Sequence, residues 1–442
     1  MPTVLLLGAR APVACDIARS LAAAGARVVA ADAWRWPPAR WSRAVARTVR
    51  LPAPRAGAWA FASAVADLVR TECADAVVPL CEEGFWLAAV IAARPGLLPP
   101  GCRLVAPAAD AVARIHDKAA FAETALRHGL AVPSTHRLAS ADEVEAVLAD
   151  GPAGRWVFKP VWSRFATAAL IGASADVVRR RVRPTAAAPW VAQARVHGRG
   201  LCTYSIVRDG EVIAHSAYRP DIVYSRAAVV FEAIEHAAAE AWVRRLCAAE
   251  RLTGQVSFDF IEGDVDGGNN GDTTFRERRD ASVGLYAVEC NPRATSGANL
   301  WQGDPSLGTA ILAAAGLAPT PSDVVRPVIG AVTAIKSAVW LGLPGWSGDS
   351  DRRRIALTAL ASGRDAFARR GDVRPAIAQP LALVECVARA VRHGIGVADA
   401  MTVDMRWDGE AVTGPVGKGG GKGVDADEWT DGRADFDTVG AA

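Results

Sequence analysis

The chain has 442 residues, 51% of them apolar and 22% charged, with a formal net charge of +3. That length exceeds one ordinary core and predicts about two or three domains. The composition excludes a disordered or fibrous chain, and the near-neutral charge excludes a strong nucleic-acid or membrane field. No stretch reaches the ~20 apolar residues of a membrane span. The eight cysteines are scattered, with no C-x-x-C pair and no zinc-like cluster. With no leader-like N-terminus, they predict a cytoplasmic protein.

In chain order, Val4–Leu7 is a continuous apolar run, as expected of a parallel strand buried on both faces. Gly8 breaks it, 13–24 is predicted helical, and 27–31 is the next strand, with Asp32 at its carboxyl end. This βαβ unit is not a dinucleotide site. Its loop reads G-A-R-A-P rather than G-x-G-x-x-G, so no close backbone approach to a pyrophosphate is provided. A helix over 58–71, a strand over 76–79, a helix from 84 and a strand over 103–106 complete a Rossmann-like domain at 1–108.

Two helices (108–114 and 117–128), a helix at 140–149, strands at 156–159 and 168–171, and a helix at 174–182 make a smaller unit over 109–190. Strands at 190–195, 201–207 and 211–218 follow, the last two joined by an Asp209-Gly210 hairpin turn. A helix at 235–249, strands at 253–261 and 285–290, and a helix near 305–315 complete a unit over 191–315. Residues 263–284 are Gly/Asn/Asp-rich and read as a solvated insertion. Residues 316–412 read as a separate α-rich appendage and 413–442 as a flexible tail. The tail's GPVGKGGGKG lacks the spacing of a phosphate loop.

Two late strands carry the main chemical signal. In VSFDFI, alternation places Asp259 opposite Phe258 and Phe260; in AVECNPR, Glu289 and Asn291 share a face. If these strands are neighbours, two carboxylates and an amide oxygen converge as hard ligands suited to Mg²⁺ held with phosphate. Arg293 follows on the same side, where a fixed cation stabilises transferring phosphate charge. The alternative is a solvated sheet face with a helix cap at Asn291. Only five of the 50 basic residues are lysines: Lys118, Lys159, Lys336, Lys418 and Lys422. In a chain so biased to arginine, a retained lysine marks a place where a compact ammonium is useful.

The ordered set of motifs resembles the ATP-grasp superfamily over about 109–312. It runs through D-K-x-x-F (117–121), G-L-x-V-P (129–133), F-K-P (158–160), Q-A-R-V-x-G (193–198), T-G-Q-V-S-F-D-F (253–260) and E-C-N-P-R (289–293). The resemblance implies an α/β (α+β) fold, with a Rossmann-like domain, a two-lobed ATP-grasp unit and a small C-terminal appendage. It implies that Lys118 and Lys159 contact ATP phosphates, with Ser163 and Arg164 as donors from the loop that closes over them. Gln193, Ala194, Arg195 and Val196 would form the hinge strand that reads adenine. Asp259, Glu289 and Asn291 would hold Mg²⁺ (about two ions, Mn²⁺ substituting), and Arg293 would assist phosphoryl transfer.

The implied activity is that of an ADP-forming carboxylate–amine ligase, working through an acylphosphate. The expected partners are a small carboxylate and an amine, with a homodimer as the candidate assembly and neither nucleic acid nor membrane. Two alternatives remain: a bicarbonate-activating enzyme, and a degenerate ATP-binding module without turnover. Two departures motivate the latter. The closing loop, PVWSRFATAA, contains no glycine, and Arg199-Gly200 stands where an acid often binds the ribose. Cys81-Glu82-Glu83 reads as helix N-terminal acids, with acids facing the active site as the alternative; Arg219 reads as a surface arginine, with an acidic-substrate contact as the alternative; Trp162 and Trp301 border the expected site.

Overall fold

The computed structural model describes residues 1–164, 168–224, 227–265, 284–346 and 348–412. Most of the expected 263–284 insertion and all of the 413–442 tail lie outside them. The chain begins with β1 (Thr3–Leu7), α1 (Ala14–Ala23), β2 (Arg27–Asp32), β3 (Arg47–Arg50), α2 (Ala58–Glu72), β4 (Ala76–Pro79), α3 (Glu83–Ala93) and β5 (Arg103–Leu104). These strands form a parallel sheet in the order β3-β2-β1-β4-β5. β1 needs its unbroken apolar run because both faces are covered. Val4 and Leu6 pack with Ile17 and Leu21 of α1, whereas Leu5 and Leu7 pack with Phe61 and Val65 of α2. The strand order reverses between β1 and β4, so their carboxyl ends form the crevice of the sheet. The edge strand β3 was not foreseen; its RTVR lacks an apolar pattern and is half-buried.

Next come α4 (Ala109–His116), α5 (Lys118–Arg127), β6 (Thr135–Leu138), α6 (Ala141–Ala149), β7 (Trp156–Pro160), β8 (Leu170–Ile171), α7 (Ala175–Arg181) and β9 (Trp190–Ala194). The strands form an antiparallel sheet in the order β6-β9-β7-β8. Val144 of α6 and Val178 of α7 close over Leu138, Trp156 and Phe158.

The third unit holds β10 (Val196–Arg208), β11 (Glu211–Tyr224), β12 (Ala227–Ile234), α8 (Ala237–Ala249), β13 (Gly254–Val265), β14 (Gly284–Asn291) and α9 (Pro305–Ala314). Beyond it lie β15 (Val332–Ala334), α10 (Lys336–Gly342), α11 (Ser350–Ala361), β16 (Arg364–Asp365), α12 (Arg374–Ile377), α13 (Gln379–His393) and α14 (Val397–Ala400). The large sheet runs β14-β13-β10-β11-β12-β15-β16. Pro220 suggested a strand end at Tyr218, yet β11 continues to Tyr224. Register shifts around Pro220 and Ile222 absorb the missing N–H.

Residues 316–412 do not stand apart. β15 and β16 extend the large sheet, and Asp404 returns to the first domain to pair with Arg10. Lys336, unassigned from the sequence, donates from Nζ to the Leu360 carbonyl at 2.7 Å, at the C-terminal end of α11. Trp301 packs on Tyr204 inside the interdomain core.

The first and third units lock together through α1 and α9. A Cβ on Gly308 of α9 would stand 2.1 Å from the Ser20 carbonyl oxygen of α1. Gly308→Ala is therefore expected to destabilise by at least ~1–3 kcal/mol through overpacking. Chemical denaturation against Gly345→Ala, whose Cβ meets open space, measures the difference.

Candidate active site

The D-K-x-x-F segment divides its work between cap, site and core. Asp117 caps α5 by accepting from the Ala119 and Ala120 N–H groups, each at 2.9 Å. Phe121 packs against Phe258, on the face of β13 away from Asp259. Lys118, in the first turn, is almost fully buried. Its Nζ donates to the Ser163 carbonyl at 2.8 Å and the Val161 carbonyl at 3.3 Å, and lies 3.5 Å from Glu289 Oε2. Lys159 ends β7, also buried, and donates to the Val288 carbonyl at 3.3 Å.

β13 and β14 are neighbours, and Asp259 lies directly across from Glu289. The next pair is Phe260 with Ala287, so Val288 is an extra residue on β14. This bulge aims the Val288 carbonyl at two expected site residues. It accepts from Lys159 Nζ and, at 3.4 Å, from Gln193 Nε2. Asn291 Nδ2 donates to Asp259 Oδ2 at 3.2 Å and Glu289 Oε1 at 3.4 Å, and its Oδ1 accepts from Arg293 Nη2 at 3.1 Å. The sequence-predicted set Lys118, Lys159, Asp259, Glu289, Asn291 and Arg293 thus forms one contiguous cluster.

Its electrostatics are polarised. Burial and then the Glu289 charge push the Asp259 carboxyl well above its usual range. Burial also opposes ionisation of Glu289, but Lys118 and Lys159 outweigh it and hold that carboxyl below its usual range. Burial, against the attraction of Glu289, brings Lys159 down to about 8. Among the described residues no three His, Cys, Asp or Glu side chains gather as a metal group. The donor set is two opposed carboxylates and one amide, all hard oxygen donors once the Asn291 amide turns its oxygen inward. The repulsion between the carboxylates fits a divalent cation.

The remaining expectations divide. Gln193 sits buried on β9 and donates to Thr135 Oγ1 at 3.1 Å. The Ala194 and Arg195 N–H groups already donate to the Ser134 and Arg155 carbonyls, at 2.7 and 2.8 Å. They are not free to read a base edge, and Val196 is already within β10, paired with β13. Ser163 contributes its carbonyl to Lys118.

Arg164 departs from the expected role of phosphate donor. Its guanidinium is buried against Glu82, Asp408 Oδ1 (2.9 Å) and the Trp407 carbonyl. Two oppositely charged carboxylate partners hold it facing the first domain. Glu82, read as a helix acid, is thus an ion-pair partner, with burial opposed chiefly by Arg164 to keep it below its usual range. Its neighbour Glu83 accepts from the Leu80 and Cys81 N–H groups. Asp32 is engaged by the Arg10 backbone N–H and guanidinium and by the Trp34 N–H. Arg219 pairs with Glu262. The Val288 bulge and Thr135 had no sequence signal, because carbonyl direction and edge-strand pairing depend on register.

The chain was compared with known proteins. No family model matches it, and no curated protein matches it in sequence. Solved structures do. N5-carboxyaminoimidazole synthetase from Staphylococcus aureus complexed with ADP matches with a TM-score of 0.57 and 11% identity, covering 78% of this chain and 86% of that one. The Aspergillus clavatus N5-carboxyaminoimidazole synthase, in complex with ADP and 5-aminoimidazole ribonucleotide, gives 0.55 and 15%, covering 75% and 81%. A biotin carboxylase from Campylobacter jejuni gives 0.53 and 14%, covering 72% of each. This is the ATP-grasp fold.

Glu289→Gln removes one carboxylate of the cluster and the main counter-charge of both lysines. Any ADP release from ATP by the chain is expected to fall ~10²–10³-fold, measured by a coupled assay. Lys118→Arg and Lys159→Arg are each expected to lower kcat/KM for ATP ~10-fold or more, since a planar guanidinium does not fit a site built around a compact ammonium.

Proposed function

We propose that the protein is an ATP- and Mg²⁺-dependent, ADP-forming ligase that activates a small carboxylate as its acylphosphate and joins it to an amine. The observation carrying this reading is the Asp259–Glu289 cross-strand pair facing Lys118 and Lys159, with Arg293 bonded through Asn291. That constellation matches the needs of phosphoryl transfer, where catalysis is positioning and charge stabilisation rather than covalent chemistry by the protein.

In this reading Lys118 and Lys159 bind the ATP phosphates, and Asp259, Glu289 and Asn291 hold Mg²⁺. The metal, when bound, neutralises charge on the phosphate oxygens. A carboxylate oxygen of the acid attacks the γ-phosphorus and the bond to ADP breaks, with Arg293 next to the transferring charge. The amine nitrogen then attacks the acyl carbon, loses its proton and expels inorganic phosphate. The likeness to enzymes named for carboxylation, one of them crystallised with MgADP and bicarbonate, favours a second reading in which bicarbonate is the acid.

A screen of acid and amine pools with the full chain is expected to give ADP and phosphate in equal amounts, abolished by EDTA and restored by Mg²⁺ or Mn²⁺. ADP release that depends on bicarbonate instead of a carboxylate selects the second reading. ATP binding with no release on any pool overturns both.

A further inference from the structure

The loop after Lys159 has no glycine, and its first residues are held from outside by the far end of the chain. Residues 404–410 lie as a strap along the carboxyl edge of the first sheet. Asp404 binds Arg10 with both oxygens (2.6 and 3.0 Å), and the Met405 carbonyl accepts from Trp86 Nε1 at 2.9 Å. The Trp407 N–H donates to Glu82 Oε2 at 2.9 Å. From this anchorage the strap grips the loop. Arg164 donates to the Trp407 carbonyl and to Asp408 Oδ1. The Trp162 ring stands edge-on to Trp407 with centroids 5.2 Å apart, and a Cβ on Gly409 would meet the Trp162 indole at 2.7 Å.

The two residues so gripped flank Ser163, whose carbonyl, with that of Val161, takes the Lys118 ammonium. We propose that Asp408 and Trp407 are positioning residues for ATP use: the strap fixes segment 161–164, and that segment's carbonyls aim Lys118 at the phosphates. Within the described part of the loop, the Val161 and Ser163 carbonyls hold the ammonium in place. Such preorganisation acts mainly on binding. The inference rests on the proposed reading of Lys118 as a phosphate ligand.

The test uses the full chain and Asp408→Ala, with Asp408→Glu as the conservative variant. Asp408 is about a quarter exposed and Arg164 keeps Glu82, so no buried charge is stranded. Asp408→Ala is expected to raise KM for ATP ~10-fold with kcat changed less than ~3-fold, and to speed amide hydrogen exchange at 161–164. Asp408→Glu is expected to restore both. Unchanged KM and unchanged exchange overturn the inference, as does a loss of activity that only tracks a fallen Tm. If the wild type binds ATP but turns nothing over, the ligase reading fails by itself. The ATP Kd of the same variants then decides, an unchanged Kd overturning the strap's role.

Discussion

Two carboxylates set directly opposite each other on adjacent strands repel, and a buried pair needs facing cations, a shared proton or both. The rest of this architecture can be understood from that requirement. Asp259 and Glu289 are fixed by the β13–β14 register. The compensating charges come from two other elements: the first turn of α5 and the end of β7. Holding Lys118 and Lys159 there needs the Asp117 cap, the Phe121–Phe258 contact behind the strand, and a bulge that turns the Val288 carbonyl toward Lys159. Lys118 is held by two carbonyls and Glu289, and Lys159 by the Val288 carbonyl. The electrostatic strain of the pair is therefore shared among three parts of the fold.

The sequence was most legible where local chemistry and tertiary role coincide. The buried run of β1, the helix that opens with Lys118 and the alternation around Asp259 each follow a regular pattern, and each was found at its place. Edge strands β3 and β6 were missed because half-exposed pairing leaves no apolar signature. β12 was hidden behind Pro220, which reads as a break unless the bulges on β11 are known. Arg164 was misjudged for a different reason. A guanidinium a few residues after Lys159 suits an anion equally well whether the anion is a phosphate or a carboxylate. Its choice of Glu82 depends on a partner about 80 residues away.

The scarcity of lysine acquires a structural meaning beyond composition. Buried arginines here sit in multidentate pairs: Arg10 between Asp32 and Asp404, Arg19 with Asp16 and Asp372, and Arg389 with Glu385 and Asp404. Planar, permanently charged guanidinium suits such fixed forks. The three described lysines instead point a single ammonium at backbone carbonyls. The division follows geometry: arginine ties domains together, and lysine reaches into narrow spaces lined by carbonyl groups.

The Arg10–Asp404 contact joins residues 394 positions apart, and this has a consequence for how the molecule is made. A ribosome adding about 5–20 residues per second needs on the order of 20–80 s to span that gap. Throughout that interval the first domain exists with a buried arginine that has only half its carboxylate partners, and an open sheet crevice. The strap is among the last described segments to emerge, and it adds Asp408 and the Trp407 carbonyl to the Glu82 carboxylate that ties Arg164 to the first domain. Nascent chains cut short before residue 404 would carry every side chain of the lysine–carboxylate cluster and still lack the Asp408 carboxylate and Trp407 carbonyl that Arg164 engages.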